Sequence, residues 1–277
     1  MTRGAMRLKE AFGDIQSCET WQRVLEGVDI VFHLAAQTSL NVAEEDPVAD
    51  FNANVLPLLH LVETCRREGL CPAVIFAGTV TETGIPIRWP VDETHPDHPL
   101  TVYDLHKWMA EQYLKHYVGL GVIRGTVLRL ANVYGPGPRS QSRDRGILNQ
   151  TIAKALRGET LTIYGSGNQL RDYIYVEDAA LAFLTAGANL ERVNGKHFVI
   201  GTGEGHTLAE TFHLVADEVR LITGRRVEIE HVEPPAPLTP IETRNFVADS
   251  RSFSELTGWI PSTSLREGMV QTIKARL

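Results

Sequence analysis

Short, almost wholly apolar runs alternate along the chain with longer segments in which apolar residues recur every three or four positions. Asp29-Ile-Val-Phe-His-Leu-Ala35 and Pro72-Ala-Val-Ile-Phe-Ala-Gly78 read as buried strands, separated by a helix from about Asn54 to Glu68 that Gly69 closes. Gly125-Thr-Val-Leu-Arg-Leu-Ala131 is a third strand and Lys196-His-Phe-Val-Ile-Gly201 a fourth. Between the second and third lie a proline-rich loop, 84–99, and a helix opened by Thr101 and Asp104 in a capping-box-like pattern. In that helix Leu105, Trp108, Met109, Gln112, Tyr113 and His116 recur at helical spacing, and Trp108, Tyr113 and Tyr117 fit a core face. Strands separated by helices of this length predict an α/β fold, a doubly wound parallel sheet with right-handed crossovers.

After Tyr134-Gly-Pro-Gly-Pro138 the pattern changes. A helix from Ile147 to Arg157, a hairpin-like Leu161–Gly167, the run Arg171–Asp178, a helix beginning at Thr207 and a short strand Val227–His231 predict a smaller, interleaved lobe. The expected division is 1–135 with about 171–205 in the sheet domain, and about 136–170 with 206–277 in the second lobe, Pro234-Pro-Ala-Pro237 being a linker.

With 277 residues, 43% of them hydrophobic, the chain can bury one large core or two unequal ones. A net charge of −7 argues against a nucleic-acid partner, because no basic stripe exists to displace counterions from phosphates. Cys18, Cys65 and Cys71 are odd in number and form no CxxC pair, which fits a reducing compartment. The opening MTRGAMRLKEAFGD is too polar for a secretory core region, and no spanning segment is visible; a cytoplasmic protein without a membrane partner is expected. His95 and His98 read as solvated loop histidines lacking a third ligand at metal spacing, so no metal is expected, and Glu44-Glu45-Asp46 reads as a solvated helix start.

The candidate chemistry centres on Tyr103 and Lys107, four apart on one helix face. Seven tyrosines and six lysines leave about 0.15 such pairs expected by chance, so the spacing alone is weak and its context decides. A tyrosine hydroxyl titrates near pH 10, and each unit by which a neighbouring ammonium lowers that value favours the phenolate by about 1.4 kcal/mol. Ala35, Ala36, Thr79 and Asn132 fall at the carboxyl ends of the predicted strands, where ligands of parallel sheets bind.

Taken in order, His33-Leu-Ala-Ala36, Asp46-Pro47 with Asn54, Thr79 with Tyr103 and Lys107, Leu130-Ala-Asn132-Val-Tyr-Gly-Pro-Gly137 and Arg171-Asp-Tyr-Ile-Tyr-Val-Glu-Asp178 resemble the extended short-chain dehydrogenase/reductases. The likeness is to the NAD-dependent epimerase/dehydratase family acting on nucleotide sugars, and it runs from about Gly13 to the C-terminus. The resemblance implies a Rossmann-like sheet with a smaller α/β substrate-binding lobe, NAD (alternatively NADP) as cofactor, a nucleotide-diphosphate sugar as substrate and a homodimer. It implies Thr79, Tyr103 and Lys107 as the catalytic set, Tyr103 trading a proton with a sugar hydroxyl while hydride passes between carbon and nicotinamide. Asp14, Ile15, Leu34, Ala35, Ala36, Asn54, Tyr103 and Lys107 would meet the cofactor; Thr79, Asn132, Arg171 and Arg244 would meet the substrate, the two arginines at its diphosphate. A turn threonine, a strand-end cap and a salt bridge of Arg171 to Asp172 or Glu177 are the bland alternatives.

Two departures qualify that likeness. The strand, Gly-x-x-Gly-x-x-Gly turn and helix with which the family begins are not matched, so a fragment with weak NAD binding and a long apolar sheet edge is expected. Thr79 is followed by Val80 and Thr81, where dehydratases carry Asp and Glu; Glu82 is one position late for the glutamate of the related decarboxylases. An epimerase is the leading expectation, with a 4-ketoreductase or a non-catalytic nucleotide-sugar-binding remnant as alternatives.

Overall fold

The computed structural model describes residues 10–137, 146–235 and 239–277. Most of the polar opening segment, the Pro138 end of the glycine-proline turn and Ala236-Pro237 of the expected linker lie outside the described residues.

Nine strands are described: β1 Ile30–His33, β2 Ala73–Thr79, β3 Arg124–Leu130, β4 Asn132–Tyr134, β5 Leu161–Tyr164, β6 Leu170–Tyr175, β7 His197–Ile200, β8 Gly205–Thr207 and β9 Ile229–Val232. The main sheet has the order β1-β2-β3-β7, with every pairing parallel. Its register sets Ala73 against Arg124, Thr79 against Leu130 and Val127 against His197. Val74, Ile75, Phe76, Val127, Leu128, Phe198, Val199 and Ile200 are all buried, as continuous apolar runs demand when helices cover both faces. Leu58, Leu61, Val62 and Cys65 of the Leu56–Glu68 helix, with Ala110 and Leu114 of the Val102–Gly119 helix, pack on one face. Ala179, Ala182, Phe183 and Ala186 of the Val176–Ala188 helix, backed by Phe253 and Trp259, cover the other. Each such Leu, Val, Ile or Phe contributes roughly 1.5–3 kcal/mol on full burial.

Two local expectations change. The helix expected from Asn54 is two helices, Pro47–Asn54 and Leu56–Glu68, meeting at Val55; Pro57 has no N–H to continue the first ladder. Gly69 does close the second, in the left-handed conformation with φ 67°. The hairpin expected at Leu161–Gly167 does not form, because β5 runs parallel to β9 and the chain leaves it through Gly165 and Gly167, both at φ 69°.

The remaining strands build a small sheet in which β4 and β6 are parallel and β6 and β8 antiparallel. Leu148, Ile152, Ile163, Tyr173, Tyr175, Phe212, Val215, Met269 and Ile273 form its core with the Ile147–Arg157, Leu208–Thr223 and Leu265–Lys274 helices. Asp172 of β6 ties this part to the end of β7: its buried carboxylate accepts from the Thr202 amide (2.9 Å) and hydroxyl (2.7 Å), the Gly203 amide (3.0 Å) and the Ala248 amide (3.0 Å). Among the described residues β1 is an edge strand, and Ile30, Phe32 and Leu34 expose apolar side chains along it. No described helix is long and apolar enough to cross a membrane.

Candidate active site

Thr79 is the last residue of β2, and the chain turns from it into a short 3₁₀ helix, Val80–Thr83. The turn is held by a capping box: the Thr81 amide donates to Thr79 Oγ1 (3.3 Å) and the Thr79 amide donates to Glu82 Oε1 (3.1 Å). The hydroxyls of Thr79 and Thr81 lie 3.0 Å apart.

Tyr103 and Lys107 occupy the first two turns of the Val102–Gly119 helix, whose N-cap Thr101 accepts from the Asp104 amide at 3.1 Å. Both side chains point inward and are buried. The Lys107 ammonium sits 4.2 Å from the centroid of the Phe76 ring and has no hydrogen bond or ion pair among the described residues. Burial lowers its pKa to about 8, against the pull of Glu82, Asp50 and Glu111. Burial likewise raises the Tyr103 pKa, reinforced by Asp104, Glu82 and Asp50 and opposed by a hydrogen bond from Thr79. The expected depression of Tyr103 by Lys107 is therefore absent in the protein alone, where desolvation is the largest influence.

The helix agrees only in part with its apolar spacing, for Tyr113 and Tyr117 pack against the core with Ala110 and Leu114. Leu105 is exposed, and Trp108, Tyr113 and Tyr117 are only partly covered, while Tyr103, Asp104, His106, Lys107, Ala110, Glu111 and Leu114 face in. Those inward polar groups meet charges from other elements. His106 Nδ1 is 2.7 Å from Asp50 Oδ2, and Asp50 Oδ1 accepts from Gln37 Nε2 (2.7 Å) and Asn54 Nδ2 (2.9 Å). Glu111 takes two bonds from the fully buried Arg129 of β3, Nε to Oε2 (2.8 Å) and Nη2 to Oε1 (2.7 Å). Arg129 also donates to both oxygens of Asp97 (2.5 and 2.8 Å) and lies 3.2 Å from Glu82 Oε2. Asp104 only half completes its box: its amide reaches Thr101, but both carboxylate oxygens are buried without a hydrogen-bond partner.

Asn132, Arg171 and Arg244 come together on the wall of a cavity of about 430 Å³, with Tyr164, Gln169, Tyr173, Phe212 and Glu242. Thr79, Tyr103 and Lys107 do not line this cavity; the link to them is through Asn132, two residues beyond Leu130, the register partner of Thr79. No salt bridge of Arg171 to Asp172 or Glu177 forms; its guanidinium donates to the carbonyls of Leu170 (2.9 Å), Arg244 (2.5 Å) and Glu242 (2.8 Å). Burial lowers the pKa of Arg244 to about 10, against the charge of Asp104. Three wall atoms are buried with no partner: Gln169 Oε1, the Tyr173 hydroxyl and Arg244 Nη1.

Of the residues assigned to a cofactor, Leu34, Ala35 and Ala36 follow β1, the first two exposed. Asn54 is buried, donating to the Gln37 carbonyl (3.0 Å) and Asp50, with its Oδ1 unpartnered. Asp14 is exposed in a turn, accepting from the Gln16 amide at 2.9 Å, and Ile15 is half-buried beside it, its carbonyl accepting from the Trp21 indole (2.8 Å). A shelf at the end of β1, an ammonium without an anion and an orphaned amide oxygen suit a flat polar group bearing hydroxyls. His95, expected to be solvated, is buried: its Nε2 accepts from the Ile87 amide (3.1 Å) and its Nδ1 lies 2.8 Å from the Pro96 carbonyl. No metal-holding cluster of His, Cys, Asp or Glu exists among the described residues.

Nothing in the sequence marked Arg129, Glu111 and Asp50 as site residues, and it marked Glu82 only as a displaced decarboxylase glutamate and His33 only as part of a strand-end motif. Glu82 was detectable, since Thr79-x-x-Glu82 is itself a capping-box pattern; Arg129 was not, being one charge inside an apolar strand. His33 stacks on Trp21 (5.7 Å, 20°) and tilts against Phe76 (5.4 Å), with both ring nitrogens buried and unpartnered.

Comparison with known proteins agrees with this architecture. The chain is 33% identical over 248 residues to a putative UDP-glucose 4-epimerase of Methanocaldococcus jannaschii, covering 89% of this chain and 76% of that protein. It is 30% identical over 249 residues to UDP-glucuronic acid decarboxylase 5 of Arabidopsis thaliana, covering 87% and 68%. Among solved structures, Thermotoga maritima UDP-glucose 4-epimerase with UDP-glucose superposes with a TM-score of 0.84 at 32% identity, over 95% of this chain and 82% of that one. The Thermus thermophilus UDP-glucose 4-epimerase in complex with NAD does so with a TM-score of 0.81 at 30% identity, over 95% and 83%. The NAD dependent epimerase/dehydratase profile matches residues 3–201, and the chain belongs to that family of enzymes.

Proposed function

We propose that the chain is an NAD(P)-dependent nucleotide-sugar epimerase, with Thr79, Tyr103 and Lys107 as its reacting set and Asn132, Arg171 and Arg244 at the substrate. The observation that carries this reading is the cavity of about 430 Å³ in which two arginines, Asn132, Gln169 and Tyr173 converge, three of its polar atoms lacking partners and Asn132 lying two residues beyond the register partner of Thr79. A buried arginine with an open donor suits a phosphate oxygen, and the aromatic wall of Tyr164 and Phe212 suits a nucleoside base. The relatives named above act on or bind UDP-sugars, which makes UDP-glucose the first substrate to test.

In this reading Leu34, Ala35, Ala36 and Asn54, with Asp14 and Ile15 further out, hold the cofactor, and Lys107 directs its unpaired ammonium to ribose hydroxyls. The nicotinamide, when bound, accepts and returns hydride. Thr79 Oγ1, already bonded to Thr81, orients the substrate oxygen, and Tyr103 exchanges the proton with it. Epimerisation needs Tyr103 as phenolate to take the sugar hydroxyl proton in the oxidative half and as phenol to return it to the ketone oxygen; burial favours the phenol, the form that a 4-ketoreductase, the alternative, uses alone. Decarboxylation is disfavoured because Glu82 is turned to the Thr79 amide and Arg129.

The test is turnover of UDP-, dTDP-, GDP- and CDP-hexoses with NAD, followed by NMR of the sugar. Tyr103→Phe and Lys107→Met each reduce turnover by roughly 10²–10⁴-fold while leaving sugar-nucleotide affinity in place. Binding of every sugar without conversion would establish a non-catalytic binding module instead.

A further inference from the structure

We propose that Glu82 is a positioning residue for Thr79 and holds it as a neutral carboxylic acid, sharing one proton with the Glu111 carboxylate across Arg129. The argument rests on a count of donors. Arg129 gives its Nε–H to Glu111 Oε2, its Nη2 hydrogens to Glu111 Oε1 and Asp97 Oδ2, and an Nη1 hydrogen to Asp97 Oδ1. Glu82 Oε2 approaches the same Nε at 3.2 Å, yet is buried with no hydrogen bond. The other oxygen, Oε1, accepts from the Thr79 amide.

An ionised Glu82 would thus place a fully buried charged oxygen, without a donor, beside the buried charge of Glu111. Protonated, the same oxygen becomes a donor and finds Glu111 as acceptor. Two carboxyl groups converging on one cation divide in this way, one kept ionised and the other pushed upward. Burial and the charge of Glu111 push Glu82 up, whereas the bonds and charge of Arg129 overcome burial and hold Glu111 down at about 2.

The groups facing Glu82 come from four elements. The Tyr103 helix contributes Tyr103, Lys107 and Glu111, β3 contributes Arg129, and β2 contributes Thr79. Behind the guanidinium stands Asp97 of the 84–99 loop, and the His98 amide of that loop donates to the Glu82 carbonyl at 3.0 Å. Lys107 pulls towards ionisation but lies over Phe76 without a bond to Glu82. Keeping Glu82 neutral also keeps a negative charge away from Tyr103, whose ionisation it opposes.

This inference uses the reading of Thr79 as the hydroxyl that addresses substrate, so its test begins with two measurements that need no turnover. Glu82→Gln is the isostere of the neutral acid, its carbonyl facing the Thr79 amide and its NH₂ facing Glu111. At neutral pH the infrared difference between wild type and E82Q is expected to show loss of a protonated-carboxyl C=O band that shifts in D₂O; loss of carboxylate bands alone would overturn the neutral acid. Hydrogen exchange at the Thr79 amide is expected to stay slow in E82Q and to accelerate about 10-fold or more in Glu82→Ala; equal exchange in both would overturn the positioning role. With a converted UDP-sugar in hand, E82A loses about 10²-fold in kcat and E82Q recovers most of that loss without the alkaline decline of the wild type. Equal impairment of the two variants, both folded by circular dichroism, would overturn the proposal whatever the sugar.

Discussion

Replacing Arg129 by Met tests whether the charges beneath the Thr79 turn behave as a closed system. Arg129 is 1% exposed, and its four hydrogen bonds neutralise Glu111, itself fully buried, and Asp97, which keeps 24% of its side chain in solvent. In Arg129→Met, Asp97 returns to water at little cost, while Glu111 keeps Lys115, at 2.6 Å and partly exposed, as its one close cation, with His197 Nδ1 at 3.8 Å and the Glu82 acid beside it. Glu111 can then escape by binding a proton, which at pH 7 costs about 3.4 kcal/mol relative to an unfolded value of 4.5, at 1.4 kcal/mol per unit. That agrees with the roughly 3–5 kcal/mol typical of a buried pair broken on one side. An unfolding entropy of about 2.1 cal/mol/K per residue converts it into a Tm lowered by about 5–9 °C. The pH dependence is the sharper signature. In the wild type the Glu111 pKa is depressed, so its contribution is complete above 4.5 and is lost as pH falls from 4.5 to about 2. In the variant the folded pKa is raised, so the penalty grows as pH rises above 4.5 and shrinks by about 1.4 kcal/mol per unit on the way down. Urea unfolding at pH 5 and pH 7 measures both. A loss below about 1 kcal/mol at pH 7, or equal losses at the two pH values, would show that Glu111 is solvated and that Arg129 does not organise the site.

Three further outcomes are expected. His33, buried between Trp21 and Phe76, has its pKa lowered to about 4 by burial and by Lys107; the unfolded chain protonates first, so stability falls as pH drops from 6.5 to 4, and His33→Phe removes up to about 3 kcal/mol of that fall in urea titrations, an unchanged profile refuting it. Gly268→Ala would bring a Cβ within 2.2 Å of the Tyr134 hydroxyl and 2.8 Å of Tyr175, outweighing the gain in helix propensity by about 1–3 kcal/mol; adding Tyr134→Phe recovers much of the lost Tm, and no recovery would place the strain elsewhere. Phe32→Lys places a charge on the β1 edge and is expected to lower concentration-dependent association in light scattering; unchanged association would mean that this edge is not the sticky surface.

The sheet was legible in the sequence because a strand covered on both faces is a continuous apolar run, and β1, β2, β3 and β7 all fall inside the runs read that way or within a residue of their ends. The capped helices were equally open to reading: Ile147–Arg157 has its expected ends, and Thr207 caps Leu208–Thr223 with Glu210 completing the box. Partners distant in sequence were not legible. Nothing local shows that Leu161–Tyr164 pairs with a strand nearly seventy residues on, and alternation next to glycines imitates a hairpin. Facing was legible only in part: in the Tyr103 helix Tyr113 and Tyr117 do pack against the core, but Leu105 is exposed and the most deeply buried positions include the polar Asp104, His106, Lys107 and Glu111.

That burial of polar residues carries information about the site. A helix that buries Tyr103, Asp104, His106, Lys107 and Glu111 needs partners from other elements, and Asp50 is the hydrogen-bond partner of His106 and Arg129 the counter-charge of Glu111. Those two pairs are complete and consequently structural. Lys107 and the Asp104 carboxylate are left without hydrogen bonds, as are Arg244 Nη1, Tyr173 and Gln169 across the cavity. Buried polar groups left open are destabilising by about 1–3 kcal/mol each, and a chain that satisfies Asp50 with three donors and Asp172 with four has the means to close them. Under the proposed function a ligand rich in hydroxyls and phosphate oxygens completes the open groups of the cavity and of the Tyr103 helix, and Asp104→Asn together with Arg244→Gln should raise the Tm of the free protein while weakening sugar-nucleotide binding at least 10-fold by calorimetry. Stabilisation without loss of affinity would make these groups incidental to the site.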